Sequence, residues 1–198
     1  MKIILKQFLT YLDDNYDILS EKLGSPFLLK PRKSYASKGI EKISNKMEFE
    51  FFKKRQGKQF MAQKIVGDVE HEYTAATFGF GDGTCIKPII LKRKLSQEGA
   101  TAKARVVDIL QIEQNIYRMV ELLKPIGPTN FQFRCDNDEY LLLETNPRIS
   151  SSTSLRTAFG YNESEMCIEY FIEHKRPAEA IIRKGSAVRY IADYVKLE

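Results

Sequence analysis

Apolar and polar positions alternate most clearly over residues 129–148. Phe131, Phe133, Leu141 and Leu143 share one side of a two-residue period, and Asn130, Gln132, Arg134, Leu142, Glu144 and Asn146 share the other. This pattern predicts a β-hairpin around the polar segment 135–139. An odd-numbered turn centred on Asp138 sets Gln132 opposite Glu144 and keeps the four apolar residues together. A turn of Asn137-Asp138 alone shifts the pairing by one and moves Phe131 and Phe133 to the face of Glu144, which burial opposes. The first register is therefore expected, and a bulge is the device that would change the parity.

Upstream, Phe8, Leu9, Leu12, Tyr16 and Leu19 recur at helical spacing and predict a helix over 5–19, with Gly24 after it. Residues 27–32 read as a short apolar strand ending in a cation, followed by the loop 33–40 and a return strand over 40–43. Asn45 is placed to cap a helix carrying Phe49 and Phe52, which Gly57 ends. Residues 60–74 read as an apolar strand, a hinge near Gly67 and a second strand with acidic side chains. A further hairpin is expected over 74–79 and 85–91, and an amphipathic helix over 105–124 that Pro125, Gly127 and Pro128 terminate. After the 129–148 hairpin come a serine-rich loop, a short helix over 155–159 closed by Gly160, a helix start at Asn162 with Glu165 completing a capping box, and a terminal strand within 183–194.

The 198 residues suffice for a sizeable core and are most simply one domain, open to division into two lobes. No run is long and apolar enough to span a bilayer and the N-terminus lacks the order of a signal peptide, so a cytoplasmic location is expected. Cys85, Cys135 and Cys167 are widely spaced, with only His71 and His174 to assist, which suggests neither a zinc site nor a disulfide framework. The net charge of +5 favours an anionic ligand without choosing among nucleotide, nucleic acid and phospholipid. Because acidic and basic residues are interspersed, a nucleic-acid stripe is disfavoured, and no membrane or nucleic-acid partner is expected.

Glu144 with the amides of Gln132 and Asn146 makes an all-oxygen donor set suited to Mg²⁺, with Arg148 just beyond, placed for an anionic group. Pattern alone favours a wet surface hairpin. The loop 33–40 offers backbone N–H groups and cations for phosphates, with Gly39 allowing close approach; by itself it reads rather as a lysine-rich turn. The Lys92-Arg93-Lys94 run reads as a solvated basic face, with Arg93 or Lys103 as contacts to phosphate or a substrate carboxylate. Ser150-Ser151-Ser152 has no ordered base motif beside it and reads as a polar loop.

Three of these segments together resemble the ATP-grasp enzymes, and in particular the ATP-grasp domain of the carbamoyl-phosphate synthase large subunit. They are Lys30-Pro31 with its loop, the hinge with Glu70, and Gln132 followed by Glu144-Thr145-Asn146-Pro147-Arg148, in the family's order. The resemblance implies an α+β ATP-grasp fold of two lobes with antiparallel sheets and flanking helices, about 1–66 and 67–198, with a nucleotide cleft between them. It implies ATP and Mg²⁺ as cofactors, with Mn²⁺ as a substitute. Lys30, Ser37, Lys38 and Gly39 would contact the phosphates, Gln63, Lys64, Ile65 and Val66 the adenine, and Glu70 the ribose. Gln132, Glu144 and Asn146 would hold the metal, and Lys30 and Arg148 would act on the transferring phosphate. The activity implied is that of a ligase activating a carboxylate, or bicarbonate, as an acyl phosphate for attack by an amine or another nucleophile. The α/β domain that precedes this region in relatives is not in the chain, so a separate domain or subunit is an expected partner. The alternatives are a non-catalytic ATP-binding regulatory or split-subunit module, and a basic nucleic-acid-binding protein. The role of Glu72 stays open.

Overall fold

In the computed structural model, residues 8–9, 15–33, 39–56, 60–97, 99–190 and 195–196 are described. The chain divides into two compact units, Met1–Gly67 and Asp68–Glu198.

The first unit is built on alternation and capping. Its elements are β1 (Phe8–Leu9), α1 (Tyr16–Leu23), β2 (Phe27–Pro31), β3 (Glu41–Ile43), α2 (Lys46–Gln56) and β4 (Phe60–Lys64). The strands form an antiparallel sheet in the order β1-β4-β2-β3. Phe27, Leu29, Ile43 and Ala62 from the sheet pack with Leu19, Leu23 and Phe49 from the helices into one buried cluster. Asn45 caps α2 as expected, its Oδ1 accepting from the Glu48 N–H at 3.0 Å, while Glu48 Oε2 accepts from the Ser44 N–H at 2.7 Å.

The helix predicted over 5–19 is corrected. Phe8 and Leu9 are extended and pair with Gln63 and Ala62, and the helix begins at Tyr16. Asn15 decides the boundary, because its Oδ1 accepts from the Ile18 N–H at 3.0 Å and so starts a helix after it. The remainder of that predicted helix lies outside the described residues.

In the second unit a 3₁₀ turn (Val69–His71) leads into β5 (Glu72–Phe80), β6 (Ile89–Leu95), β7 (Thr101–Val106), α3 (Leu110–Leu123), β8 (Ile126–Asp136), β9 (Glu139–Asn146), α4 (Thr153–Ala158), α5 (Glu163–Cys167), a π turn (Ile168–Ile172) and β10 (Ser186–Val188). The strands make a six-stranded antiparallel sheet in the order β10-β7-β6-β5-β8-β9. One sheet face packs Tyr73, Ala75, Ile90, Phe131 and Phe133 against Ile112, Ile116, Met119 and Val120 of α3. The other packs Ala76, Phe78, Ile89 and Leu91 against Phe159, Tyr161 and Met166.

Three boundaries differ from expectation. β6 begins at Ile89 rather than Cys85, which makes only an isolated bridge to Gly79, so the Lys92-Arg93-Lys94 run is strand. Arg105 and Val106 belong to β7, and α3 starts at Leu110, because Val106 is buried against the sheet core rather than on a helix face. β8 begins at Ile126 and pairs with β5 through Gly127 and Pro128, where the helix was expected to stop and a loop to follow.

The β8–β9 turn is also corrected. Asp136 pairs with Glu139, leaving Asn137 and Asp138 as a two-residue turn with φ of 49° and 62°, the left-handed pair that a tight hairpin requires. That turn alone would misalign the polar face. A register shift between Gln132 and Phe133 restores it, with Phe133 opposite Leu142 and Gln132 opposite Glu144. Leu142 therefore joins the Phe131 and Phe133 core in place of Leu141 and Leu143, and Leu141 falls on the other face, opposite Arg134.

Candidate functional site

Strand pairing lines up three rows of side chains on the sheet face opposite α3. The first holds Arg93, Glu72, Arg134 and Leu141, the second Leu91, Thr74, Gln132 and Glu144, and the third Ile89, Ala76, Asn130 and Asn146. The second and third rows are apolar at β6 and polar toward β9, whereas the first is charged at β6 and apolar at β9.

Glu72 anchors the first row, with only 4% of its side chain exposed. Arg93 donates from Nη2 at 2.7 Å and Nε at 3.2 Å to Glu72 Oε1. Arg134 donates from Nη2 at 2.9 Å and Nε at 3.1 Å to Oε2. A carboxylate that receives two forks in this way is saturated by charge-assisted hydrogen bonds. Arg93 Nη2 also donates to Gln132 Oε1 at 2.8 Å. The expectation that Arg93 belongs to a solvated basic face is overturned, because strand pairing turns it inward beside an acidic partner.

Beyond this network, Glu144 is half-buried and has no hydrogen bond or ion pair among the described residues. Its neighbour along the strand, Asn146, carries a buried amide nitrogen without a hydrogen-bond partner. Side by side on one strand face are therefore an uncompensated carboxylate, which calls for a cation, and an unsatisfied N–H donor, which calls for an anionic oxygen. A cation carrying phosphate oxygens fits both. Gln132 is the exception in this donor set, since its oxygen already accepts from Arg93. Arg148 follows the strand, exposed, with Nη1 donating to the Ile149 carbonyl at 3.1 Å and its backbone N–H to the Asn146 carbonyl at 2.8 Å.

The third row rests on a second charge cluster. Arg156 and Glu163 are both fully buried, with Arg156 Nη1 donating to both Glu163 oxygens at 3.1 Å. Arg156 Nη2 donates to Thr74 Oγ1 at 3.0 Å and to Asn130 Oδ1 at 2.5 Å, and Thr74 Oγ1 donates to Asn130 Oδ1 at 2.8 Å. Burial pushes the guanidinium below its ordinary pKa, and the Glu163 charge opposes that shift. Asn162 caps α5 as expected, its Oδ1 accepting from the Glu165 N–H at 3.3 Å, and so helps to fix Glu163. Ser152, in the serine loop, is buried with its hydroxyl 2.9 Å from that of Thr101.

Glu70 lies in the 3₁₀ turn, exposed, paired with Lys94 Nζ at 2.9 Å. That turn is set by Asp68, whose Oδ1 accepts from the Glu70 and His71 N–H groups at 2.9 Å. Lys103 is an exposed residue of β7.

Within the first unit, Lys30 is half-buried in β2 opposite Met61. Gly39 has φ of 73°, and a side chain there would meet Pro31 Cγ at 3.0 Å. Ser37 and Lys38 lie outside the described residues. Gln63 and Val66 are buried, Lys64 is exposed and Ile65 is half-buried along the end of β4 and the segment after it.

The structure thus gathers Gln132, Glu144 and Asn146 on one face, with Arg148 at its end. Sequence reasoning missed the closure of Arg93 and Arg134 on Glu72, and it missed Arg156 altogether. The alternation of Asn130, Gln132 and Arg134 was a usable signal for one strand. Its partners on β5 and β6 needed a register that the chain's local pattern does not specify.

A family profile described as "ATP-grasp in the biosynthetic pathway with Ter operon" matches residues 71–194. The carbamoyl phosphate synthase large chain of Thermotoga sp. (strain RQ2) is 22% identical over 85% of the chain and 18% of its own length. N5-carboxyaminoimidazole synthetase from Staphylococcus aureus, solved with ADP, superposes with a TM-score of 0.75 at 19% identity, over 89% of this chain and 49% of that one. The biotin carboxylase domain of Hydrogenobacter thermophilus 2-oxoglutarate carboxylase, solved with MgADP, ADP and bicarbonate, superposes with a TM-score of 0.67 at 15% identity, over 88% of this chain and 43% of that one. The chain spans under a fifth of the length of this curated relative and about half of each solved one.

Proposed function

The chain belongs to the ATP-grasp family and has its fold, and from that premise we propose that it binds ATP with a divalent cation and serves a ligase that activates a carboxylate or bicarbonate as an acyl phosphate, for attack by an amine or another nucleophile. The observation that carries this reading is the juxtaposition, on one strand face, of the Glu144 carboxylate and the buried Asn146 amide nitrogen, each without a partner among the described residues.

The donors fit a hard cation. Glu144, Asn146 and Gln132 are the oxygen ligands, and Mg²⁺ bound there would neutralise charge on phosphate oxygens, with Mn²⁺ as a substitute. The chain's own residues do the rest. Arg148 and Lys30 bring fixed positive charge to the transferring phosphoryl group, which stabilises charge spread over its equatorial oxygens. Ser37, Lys38 and Gly39 hold the phosphates by backbone N–H groups and one ammonium. Gln63, Lys64, Ile65 and Val66 take the adenine, and Glu70 takes the ribose hydroxyls, as in the family pattern. For this last role Glu70 must give up or share its pairing with Lys94, a modest expense for an exposed pair.

Carbamoyl-phosphate synthase-like chemistry and a bicarbonate acceptor are favoured by the curated relatives and by the bicarbonate in one solved relative. A regulatory or split-subunit ATP-binding module without ligase activity is the alternative that the test below separates. Calorimetric titration of ATP with Mg²⁺ into the native protein and Glu144→Ala tests the proposal. Binding that requires Mg²⁺ and weakens about 10- to 100-fold in the variant is expected, a loss of about 1.4–2.8 kcal/mol. ADP release stimulated by a carboxylate or bicarbonate then separates the ligase from the regulatory module. A folded native protein that gives no Mg²⁺-dependent heat with ATP defeats the reading.

A further inference from the structure

Of Gln132, Glu144 and Asn146, Gln132 is the one whose side-chain oxygen has a partner among the described residues, and that partner is a cation. We propose that Arg93 is a built-in counter-cation that competes with the divalent ion for Gln132, so that the ion is held chiefly through Glu144 and Asn146 while Gln132 orients the Arg93 guanidinium. This inference rests on the metal-site reading above and refines which residues make the site.

The argument begins with where Arg93 can go. Its Nη2 spans Gln132 Oε1 at 2.8 Å and Glu72 Oε1 at 2.7 Å, with Nε on the same Glu72 oxygen at 3.2 Å. The other Glu72 oxygen is taken by Arg134 through two donors, at 2.9 and 3.1 Å, so Arg93 cannot swing across the carboxylate. Only 8% of the Arg93 side chain and 4% of the Glu72 side chain are exposed, which leaves water little part in screening either.

An amide oxygen has two lone pairs and is sterically able to serve two partners. Electrostatics opposes the sharing. A hard divalent ion ligates at about 2.0–2.1 Å, which would bring it close to a fixed guanidinium donating to the same oxygen, and like charges that near repel strongly outside bulk water. Glu144 lies directly across the strand pair from Gln132 and has no cationic partner among the described residues. The positive charge of the face is therefore divided, fixed at Arg93 on the Gln132 side and exchangeable at Glu144.

A double-mutant cycle reads this division without relying on turnover. Mn²⁺ is titrated into the native protein, Arg93→Met, Gln132→Ala and the double variant, alone and with ADP, and the free ion is followed by electron paramagnetic resonance. Arg93→Met is expected to tighten Mn²⁺ at least fivefold, and Gln132→Ala to cost at least tenfold more affinity in the Arg93→Met background than in the native one. If Arg93→Met fails to unfold cooperatively, Arg93→Lys takes its place. Its ammonium keeps Glu72 paired but gives up Gln132, and an increase in affinity of at least twofold is expected. An equal cost of Gln132→Ala in both backgrounds, or weaker Mn²⁺ binding on loss of Arg93, overturns the inference while leaving nucleotide binding intact. A lack of Mn²⁺ binding in every folded variant overturns it together with the metal-site reading.

Discussion

Two charge clusters on the same sheet face are resolved in opposite ways. Arg156 and Glu163 are fully buried and neutralise each other, with Thr74 and Asn130 accepting from Arg156 Nη2 and Arg156 Nε left without a hydrogen-bond partner. Glu144 and Asn146, on the strand that pairs with Asn130, are left with an unpaired carboxylate and an orphaned amide. A protein that can neutralise both charges of one cluster internally has the means to neutralise its neighbour. The difference marks the first as a fixture of the fold and the second as a place that a ligand completes.

The largest effect expected from breaking this contrast is Arg156→Ala, which strands a buried Glu163 carboxylate and should cost about 3–5 kcal/mol in denaturant unfolding. Replacing the pair together, Arg156→Met with Glu163→Leu, should recover native stability to within about 1 kcal/mol or exceed it, since the cost lies in the uncompensated charge. Glu144→Ala should leave unfolding free energy within about 0.5 kcal/mol of native, because no hydrogen bond or ion pair among the described residues is lost, even as it weakens the metal–nucleotide complex.

The smallest effect belongs to the exposed rim. The hydrogen bond from His71 to Asp68 holds the Asp68 carboxyl below its usual value, with the Glu70 N–H adding to the shift. A lowered carboxylate pKa means that the turn's contribution is present above the ordinary Asp range and lost as the pH falls through the lowered value. Amide chemical shifts of Glu70 and His71, followed through an acid titration, should move together at a midpoint below 3.8.

How far the chain's own pattern reaches is seen best in these same residues. Gln132 opposite Glu144 was legible because burial of Phe131 and Phe133 dictates the parity of the polar face, whatever the turn does. The turn was not legible, since a two-residue loop with a compensating bulge and a longer loop without one satisfy the same alternation. Arg93 could not be placed, because a Lys-Arg-Lys run in an edge or loop is solvated, and only its register against Glu72 makes it internal. Arg156 lies in a six-residue helix, too short for periodicity to expose its buried side. The caps at Asn45 and Asn162 were readable because their cause is local. Phe8 and Leu9 were misread because their apolar spacing serves a strand edge whose partner lies more than fifty residues away.

The bulge beside Gln132 gives the β8–β9 hairpin two separate phases. From Phe133 to the tip, pairing obeys the tight turn; from Gln132 onward it obeys the polar face. The tip and the ligand-facing end are thereby decoupled, as two gears are by a clutch. A residue gained or lost at Asn137-Asp138 can be absorbed by straightening the strand at Leu143, so variation at the exposed end of this hairpin need not be transmitted to Glu144 and Asn146.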